Sequence, residues 1–308
     1  MGIIPMLSLN FPLTIHYHMR KLFSAAVILT CFANLAMAQK PDLAHVDKVI
    51  KAEDNFNTLV ARKGIKAAFL EVADIEGIVF KPNPVKITDF YTNIDKQPGT
   101  LTWQPKVARI SANGDLAFTA GPYVYQNGKT DDDKVYGDYV SIWRVDENNK
   151  LKLLMDLGIQ HPEPEQDAIT DFQEPDSSKL VAPSKDPFNG KSVILATDKI
   201  FNHSLSISTL ASYKEFLSPE GRYYFPGFEP MVGQERIMKF IDNEAISITA
   251  ETTDAGRSTS NDLAYSYGTA RITKGQVVSN YNYVRIWEID KNHKWDILLE
   301  VFSAVEND

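Results

Sequence analysis

The sequence is almost without cysteine. Its single thiol, Cys31, falls inside an apolar N-terminal segment. The rest of the chain therefore has no disulfide, no thiolate metal site and no cysteine nucleophile. Beyond that segment there is no apolar run of the ~18 residues that a bilayer-spanning helix needs. Basic excess is missing too: 32 Lys and Arg stand against 40 Asp and Glu, for a formal net charge of −8. That balance argues against nucleic acid and anionic membrane surfaces as partners. No G-x-S-x-G elbow, P-loop or dinucleotide-binding glycine pattern occurs. The later histidines, His45, His161, His203 and His293, are scattered rather than spaced as ligands. Neither a metal nor a cofactor is expected.

What is present begins with a targeting segment. Met19-Arg20-Lys21 supplies a basic start, Leu22 to Leu35 is apolar, and Ala36-Met37-Ala38 forms an A-x-A cleavage site before Gln39. Residues 1–38 read as a secretory signal peptide, with Met19 as the expected true start. Thr30, before Cys31, is bulkier than the small residue a lipidated cysteine requires. The expectation is a secreted or periplasmic protein that starts at Gln39. Cleavage would also remove Arg20 and Lys21 and leave a net charge near −10.

The chain then repeats itself. A shift of 144 residues carries Asp54 onto Asp198, Ala67 onto Ala211 and Glu71 onto Glu215. It also carries Glu76-Gly77 onto Glu220-Gly221, Ile142-Trp143 onto Ile286-Trp287, and Asp156 onto Glu300. The turn Gly114-Asp115 matches Asn261-Asp262 at a spacing of 147, so one loop differs in length. The period is far longer than that of a solenoid repeat, and each copy is large enough to own a core.

Each copy reads as helices followed by strands. In the first, Asp42 is a candidate N-cap, Val46, Val49 and Ile50 give a helical spacing, and Gly64 closes the helix. Ile65 to Val72 and Val85 to Tyr91 read as short helices. Leu101 to Ile110, Leu116 to Tyr125, Tyr136 to Val145 and Leu151 to Ile159 read as strands. In the second, Leu195 to Phe216 and Val232 to Ile241 read as helical, and strands return from Ile246. The expected fold class is α+β: two tandem cones, each a curved antiparallel sheet wrapped around N-terminal helices. The expected domains are 39–160 and 195–308. The Pro-rich, acidic stretch 161–194 would hold the units apart or drape over them.

The order of elements, with Gly114-Asp115-Leu116-Ala117-Phe118 and Gly137-Asp138-Tyr139-Val140-Ser141-Ile142-Trp143, resembles the SnoaL-like and ketosteroid-isomerase-like domains of the nuclear transport factor two superfamily. Tyr283 through Leu298 repeats the likeness. The resemblance implies a sheet curled round helices, with a pocket at its open end. It names no chemistry, because this superfamily includes isomerases, cyclases, dehydratases and non-catalytic modules. Members often carry a His near the last strand, and neither copy has one.

Asp156 and Glu300 hold equivalent places in the last strands. Either is a pocket carboxylate able to move a proton, or a strand-end acid in solvent. Asp115 and Asp262 fit turn hydrogen bonding. Tyr139 and Trp143 share one strand face, as do Tyr283 and Trp287. These faces would line a pocket, or pack as core or as the contact between cones; packing is the expected role, with these faces as the contact where the cones pair. Val140, Ile142, Val284 and Ile286 on the opposite faces read as plain core. Trp103, Phe118, Tyr123 and Tyr125, with Tyr223, Tyr224, Tyr265 and Tyr267, could supply aromatic walls. The expected function is binding of a small, largely apolar molecule in a cone pocket. The alternatives are a cofactor-independent isomerase or lyase using Asp156 or Glu300, and a protein-interaction module. An internal pseudo-dimer of the repeats or a homodimer is the expected assembly.

Overall fold

The computed structural model describes residues 42–182 and 190–305. The signal-peptide assignment, with Cys31, lies outside the described residues. The first unit runs α1 (Asp47–Lys63), α2 (Ile65–Val72), β1 (Ala73–Phe80), β2 (Pro84–Lys86), α3 (Ile87–Asn93), β3 (Thr100–Trp103), β4 (Val107–Ile110), β5 (Leu116–Gln126), β6 (Lys134–Val145) and β7 (Leu151–Gln160). The second runs α4 (Lys191–Ile207), α5 (Thr209–Phe216), β9 (Leu217–Tyr224), β10 (Met231–Val232), α6 (Gln234–Asn243), β11 (Ile246–Arg257), β12 (Leu263–Lys274), β13 (Val277–Ile289) and β14 (Trp295–Ala304). Both sheets are antiparallel meanders whose last strand pairs in parallel with the first strand of its unit, β7 with β1 and β14 with β9. Helices pack inside each curve, so the fold is α+β with two cones.

Local chemistry explains where the elements differ from the sequence reading. Asp42 is not the N-cap of α1. The helix starts at Asp47, and the Val46 N–H donates to Glu174 Oε2 at 3.0 Å. Gly64, at φ 83°, ends α1 as expected. The segment Leu195 to Phe216 is two helices rather than one. Ser208 breaks it and caps the second, accepting from the Ala211 N–H at 3.3 Å. The strand expected over Leu101 to Ile110 is split at Gln104–Lys106, where the backbone bulges toward β5. A Cβ at Gly121 would lie 2.1 Å from the Gln104 carbonyl, so only glycine lets the two chains approach this closely.

The connector drapes rather than separates. Asp171–Phe172 forms β8, parallel to β4 at the edge of the first sheet. The Asp171 carboxylate accepts from Arg109 of β4 at 3.1 Å and from Arg222 of β9 at 2.8 Å. One acid thus ties the connector to both cones.

Between the sheets lies a shared apolar layer. Phe118, Val140, Ile142 and Leu157 of the first sheet form one cluster with Tyr224, Leu263, Val284, Ile286 and Val301 of the second. This reverses the expected use of the faces. Tyr139/Trp143 and Tyr283/Trp287 point into their own cones. The faces read as plain core, Val140/Ile142 and Val284/Ile286, make the contact. The physical reason is thickness. The gap between helices and a curved sheet takes large rings, whereas two sheets packed ~10 Å apart interdigitate β-branched side chains.

At the end of this layer the hairpin turns lock reciprocally. The Ala112 N–H donates to Asp262 Oδ2 at 2.7 Å, and the Thr259 N–H donates to Asp115 Oδ2 at 2.7 Å. Each aspartate also accepts within its own turn, from Ser111 and Ser258. Asp115 and Asp262 are therefore turn residues that also reach the partner repeat.

Candidate functional site

Burial along α1 and α4 corrects the repeat register. Val49, Glu53, Phe56 and Val60 are buried in α1, and Ile194, Asp198, Phe201 and Leu205 in α4, a spacing of 145. Glu53, not Asp54, is therefore the counterpart of Asp198, and Asp54 is exposed. From α2 to β1 the spacing returns to 144, since Phe69 matches Tyr213 and Val79 matches Tyr223.

In the first cone these helices and strands leave a cavity of about 390 Å³. Phe56, Ile65, Phe69, Tyr91, Leu101, Trp103, Tyr123, Tyr139 and Leu157 form its walls, and Asp156, Lys81, Gln97 and Gln160 supply polarity. Lys81 and Gln160 are exposed at its mouth. An apolar body with few polar points is the usual make-up of a small-molecule site.

Asp156 sits on β7, half-buried, opposite Ser141 of β6. Its Oδ2 accepts from Ser141 Oγ at 2.8 Å. Burial pushes its carboxyl up to about 6, with Ser141 and Lys81 pulling the other way. Behind the wall, fully buried Glu53 takes two indole N–H groups, from Trp103 at 2.7 Å and Trp143 at 3.0 Å, and the Thr119 hydroxyl. Burial pushes Glu53 up to about 7 despite these donors, and the nearby Asp156 charge adds to the rise. The Tyr139 hydroxyl is buried in the same wall, without a hydrogen-bond partner of good geometry. The Thr119 hydroxyl lies beside it, and a ligand or water in the cavity would complete its hydrogen bonding.

The second cone has the same scaffold and the opposite interior. Ser141 is replaced by Arg285, Val79 by Tyr223, and Gly158 by Phe302, all fully buried. Arg285 donates to Glu300 Oε1 at 2.6 Å and to Asp198 Oδ1 at 2.7 Å. Its guanidinium lies 4.5 Å from the Phe201 ring centroid and 3.8 Å from that of Tyr283. Those rings correspond to Phe56 and Tyr139, which border the first cone's cavity. Glu300 Oε2 also accepts from the Tyr213 hydroxyl. Burial pushes Asp198 up, but Arg285, Thr252 and Tyr283 outweigh it and the carboxyl ends low. For Glu300 burial wins over the same arginine, and its carboxyl ends high.

The sequence-predicted residues therefore separate. Asp156, Trp103, Tyr123 and Tyr139 meet at one cavity, with Tyr125 on its wall. Trp143 lies beneath it in the helix-side core. Phe118, Tyr224, Tyr265 and Tyr267 belong to the layer between sheets. Tyr223, Tyr283 and Trp287 pack inside the second cone. Both oxygens of Glu300 are engaged in a closed network, one by Arg285 and one by the Tyr213 hydroxyl. Glu53, Lys81 and Ser141 were not singled out from the sequence. The contrast of Ser141 with Arg285 at the established spacing was the available signal.

No protein-family model matches the chain, and no curated protein matches it. Solved structures similar to parts of it are NTF2-like and ketosteroid-isomerase-like proteins. A ketosteroid isomerase-like protein from Erwinia carotovora atroseptica is 14% identical with a TM-score of 0.34, over 39% of this chain and 100% of its own. An NTF2-like protein from Cytophaga hutchinsonii is 15% identical with a TM-score of 0.33, over 38% and 100%. An LEH-like epoxide hydrolase from M. tuberculosis is 12% identical with a TM-score of 0.31, over 39% and 83%.

Proposed function

We propose that the first cone binds a small, largely apolar molecule and that the second cone is its structural partner. The observation that carries this reading is the contrast between two interiors on one scaffold. The first keeps a cavity beside a carboxylate with a single side-chain hydrogen bond. The second closes the same space with an arginine and paired acids. Asp156 is kept at a cost, because a buried acid with no ion-pair partner at contact distance disfavours the folded state when ionised. Thermal-shift screening of small aromatic and aliphatic carbonyl compounds and acids tests the reading. At least one class should raise the melting temperature of the wild-type chain and leave Ser141→Arg unmoved. A panel without hits on the wild type counts against it.

A second reading, proton transfer, is favoured by Asp156 and the Tyr139 hydroxyl sharing one wall. Asp156, as carboxylate, would take a proton from the carbon next to a substrate carbonyl. Tyr139 would hydrogen-bond the enolate oxygen, and the proton would return to another carbon in an isomerisation. Such a base works when ionised, so turnover should rise with pH through about 6 and then level off. Incubating a bound carbonyl compound in deuterated water, with NMR readout, separates the two readings. Deuterium entering the ligand, and not in Asp156→Asn, indicates catalysis; no exchange leaves binding alone.

The same substitution has a stability signature. Asp156 has a folded pKa raised from 3.8 to about 6, so the folded state holds its proton more tightly than the unfolded state. Stability is then fully present below the unfolded value and falls as pH rises through the folded one. Asp156→Asn should add ~1–3 kcal/mol at pH ~7.5 and nothing at pH ~3.5. Urea titrations at both pH values check this; an equal change at both would show that burial of Asp156 is not the cause.

A location outside the cytoplasm rests on the N-terminal leader alone. N-terminal sequencing of exported protein should begin at Gln39.

A further inference from the structure

Three contacts cross from the second cone to the rim of the first cone's cavity. Asn282, 1% exposed on β13, donates from Nδ2 to the Pro82 carbonyl at 3.0 Å. Tyr267 meets Phe80 edge to face, with ring centroids 6.3 Å apart. The Gly227 N–H donates to the Gln160 carbonyl at 2.7 Å. Phe80, Lys81 and Gln160 all border the cavity. The second cone thus grips the rim on both sides of Lys81.

Among the described residues, Lys81 is the one cation bordering this cavity. Its backbone is pinned in a tight turn, with its N–H donating to the Asn83 carbonyl at 3.0 Å and the next carbonyl held by Asn282. Its ammonium lies 5.9 Å from the Phe90 ring centroid. It acts on Asp156 through space rather than through a hydrogen bond. A neutral apolar ligand would make no use of such a charge. An acidic head group would, because a charge-assisted contact at the edge of an apolar cavity orients the ligand body inward.

We infer that the cavity takes an amphipathic monoanion, its apolar body inside the first cone and its acidic head at Lys81, and that Asn282 is the positioning residue that sets Lys81 there. The inference rests on the ligand-binding reading above and adds the ligand's charge class and the second cone's part in selecting it. Asp156 sets a pH dependence. The groups facing it are Lys81 at the end of β1, Ser141 and Tyr139 on β6, Glu53 on α1, Tyr91 on α3 and Tyr123 on β5. Only Lys81 among them is a cation. Ionised Asp156 repels an anionic head, and the protonated acid can donate to it, so affinity for the anion rises as pH falls through the range where Asp156 gains its proton.

A matched pair of fluorescent probes tests this: anilinonaphthalene sulfonate, and phenylnaphthylamine, which has the same ring system without the sulfonate. Affinities are measured for the wild type, Lys81→Met, Lys81→Arg, Asn282→Ala and the Lys81→Met/Asn282→Ala double variant. The wild type should prefer the sulfonate. Lys81→Met should lower that preference roughly tenfold, and Lys81→Arg should keep it. Asn282→Ala should lower the preference several-fold, and the double variant should fall no further than Lys81→Met alone. If Asn282→Ala does not fold, Tyr267→Leu loosens the same rim through Phe80. An unchanged preference in Lys81→Met overturns the head-group inference while leaving the cavity as a site. Additive losses in the double variant overturn the positioning role of Asn282. Failure of the wild type to bind either probe overturns this inference and the ligand-binding reading together.

Discussion

Replacing Arg285 with alanine should cost the protein ~3–5 kcal/mol of stability, the largest loss expected from any single substitution in the second cone. Arg285 is 0% exposed and, among the described residues, is the only cation paired with Asp198 and Glu300, both also at 0%. Taking three charges out of water is costly, and the fold tolerates it because each carboxylate meets the guanidinium at hydrogen-bond distance. Without the arginine, two acids remain buried in one apolar cluster. They must then hold protons or admit water. The loss should be smaller at acid pH, because protonated acids no longer need the countercharge. A triple variant, Arg285→Met with Asp198→Asn and Glu300→Gln, should recover most of the stability, since a well-packed neutral interior can match a buried ion network. Urea unfolding monitored by circular dichroism would measure this. A loss below ~1 kcal/mol for Arg285→Ala at neutral pH would show that the network is not the internal support of the second cone.

Much of this architecture is readable from the chain because repetition checks itself. Trp143 and Trp287, Asp156 and Glu300, and Phe69 and Tyr213 hold the same places in both cones. What misled was periodicity. On β6 and β13 both faces are buried, so alternation shows that two faces exist without showing what each one meets. The aromatic face looked like a contact surface because exposed rings are costly, yet helices cover it. Glu53 was missed because an acid within a helix reads as solvent-facing by default. Only its place on the stripe of Val49, Phe56 and Val60 marks it as inward. Asp156 and Glu300 could not be told apart one at a time. Their difference lies across the strand, in Ser141 against Arg285, where the sequence register already aligned the two.

That cross-strand difference leads to the second large effect. Ser141→Arg should turn the first cone into a copy of the second and lower the affinity of any cavity ligand ~100-fold or more. Position 141 lies directly opposite Asp156 on the neighbouring strand, as 285 lies opposite Glu300. An arginine there has Phe56 and Tyr139 beneath it, the counterparts of the two rings that Arg285 covers. Its guanidinium would sit within the cavity and reach Asp156, with Glu53 behind, as Arg285 reaches Glu300 and Asp198. The countercharge should also remove the raised pKa of Asp156, so the loss of stability between acid and neutral pH should shrink in parallel with ligand affinity. Near-UV circular dichroism establishes whether the variant is folded. An independent route to the same filling is Gly158→Phe with Tyr123→Ala. The second cone carries Phe302 and Ala270 at these places, and a Cβ on Gly158 would lie 3.1 Å from the Tyr123 ring, so the two residues must change together. If both folded variants bind ligand as the wild type does, the first cone's cavity is not the binding site. The open interior would then be a packing difference between the repeats, without a function of its own.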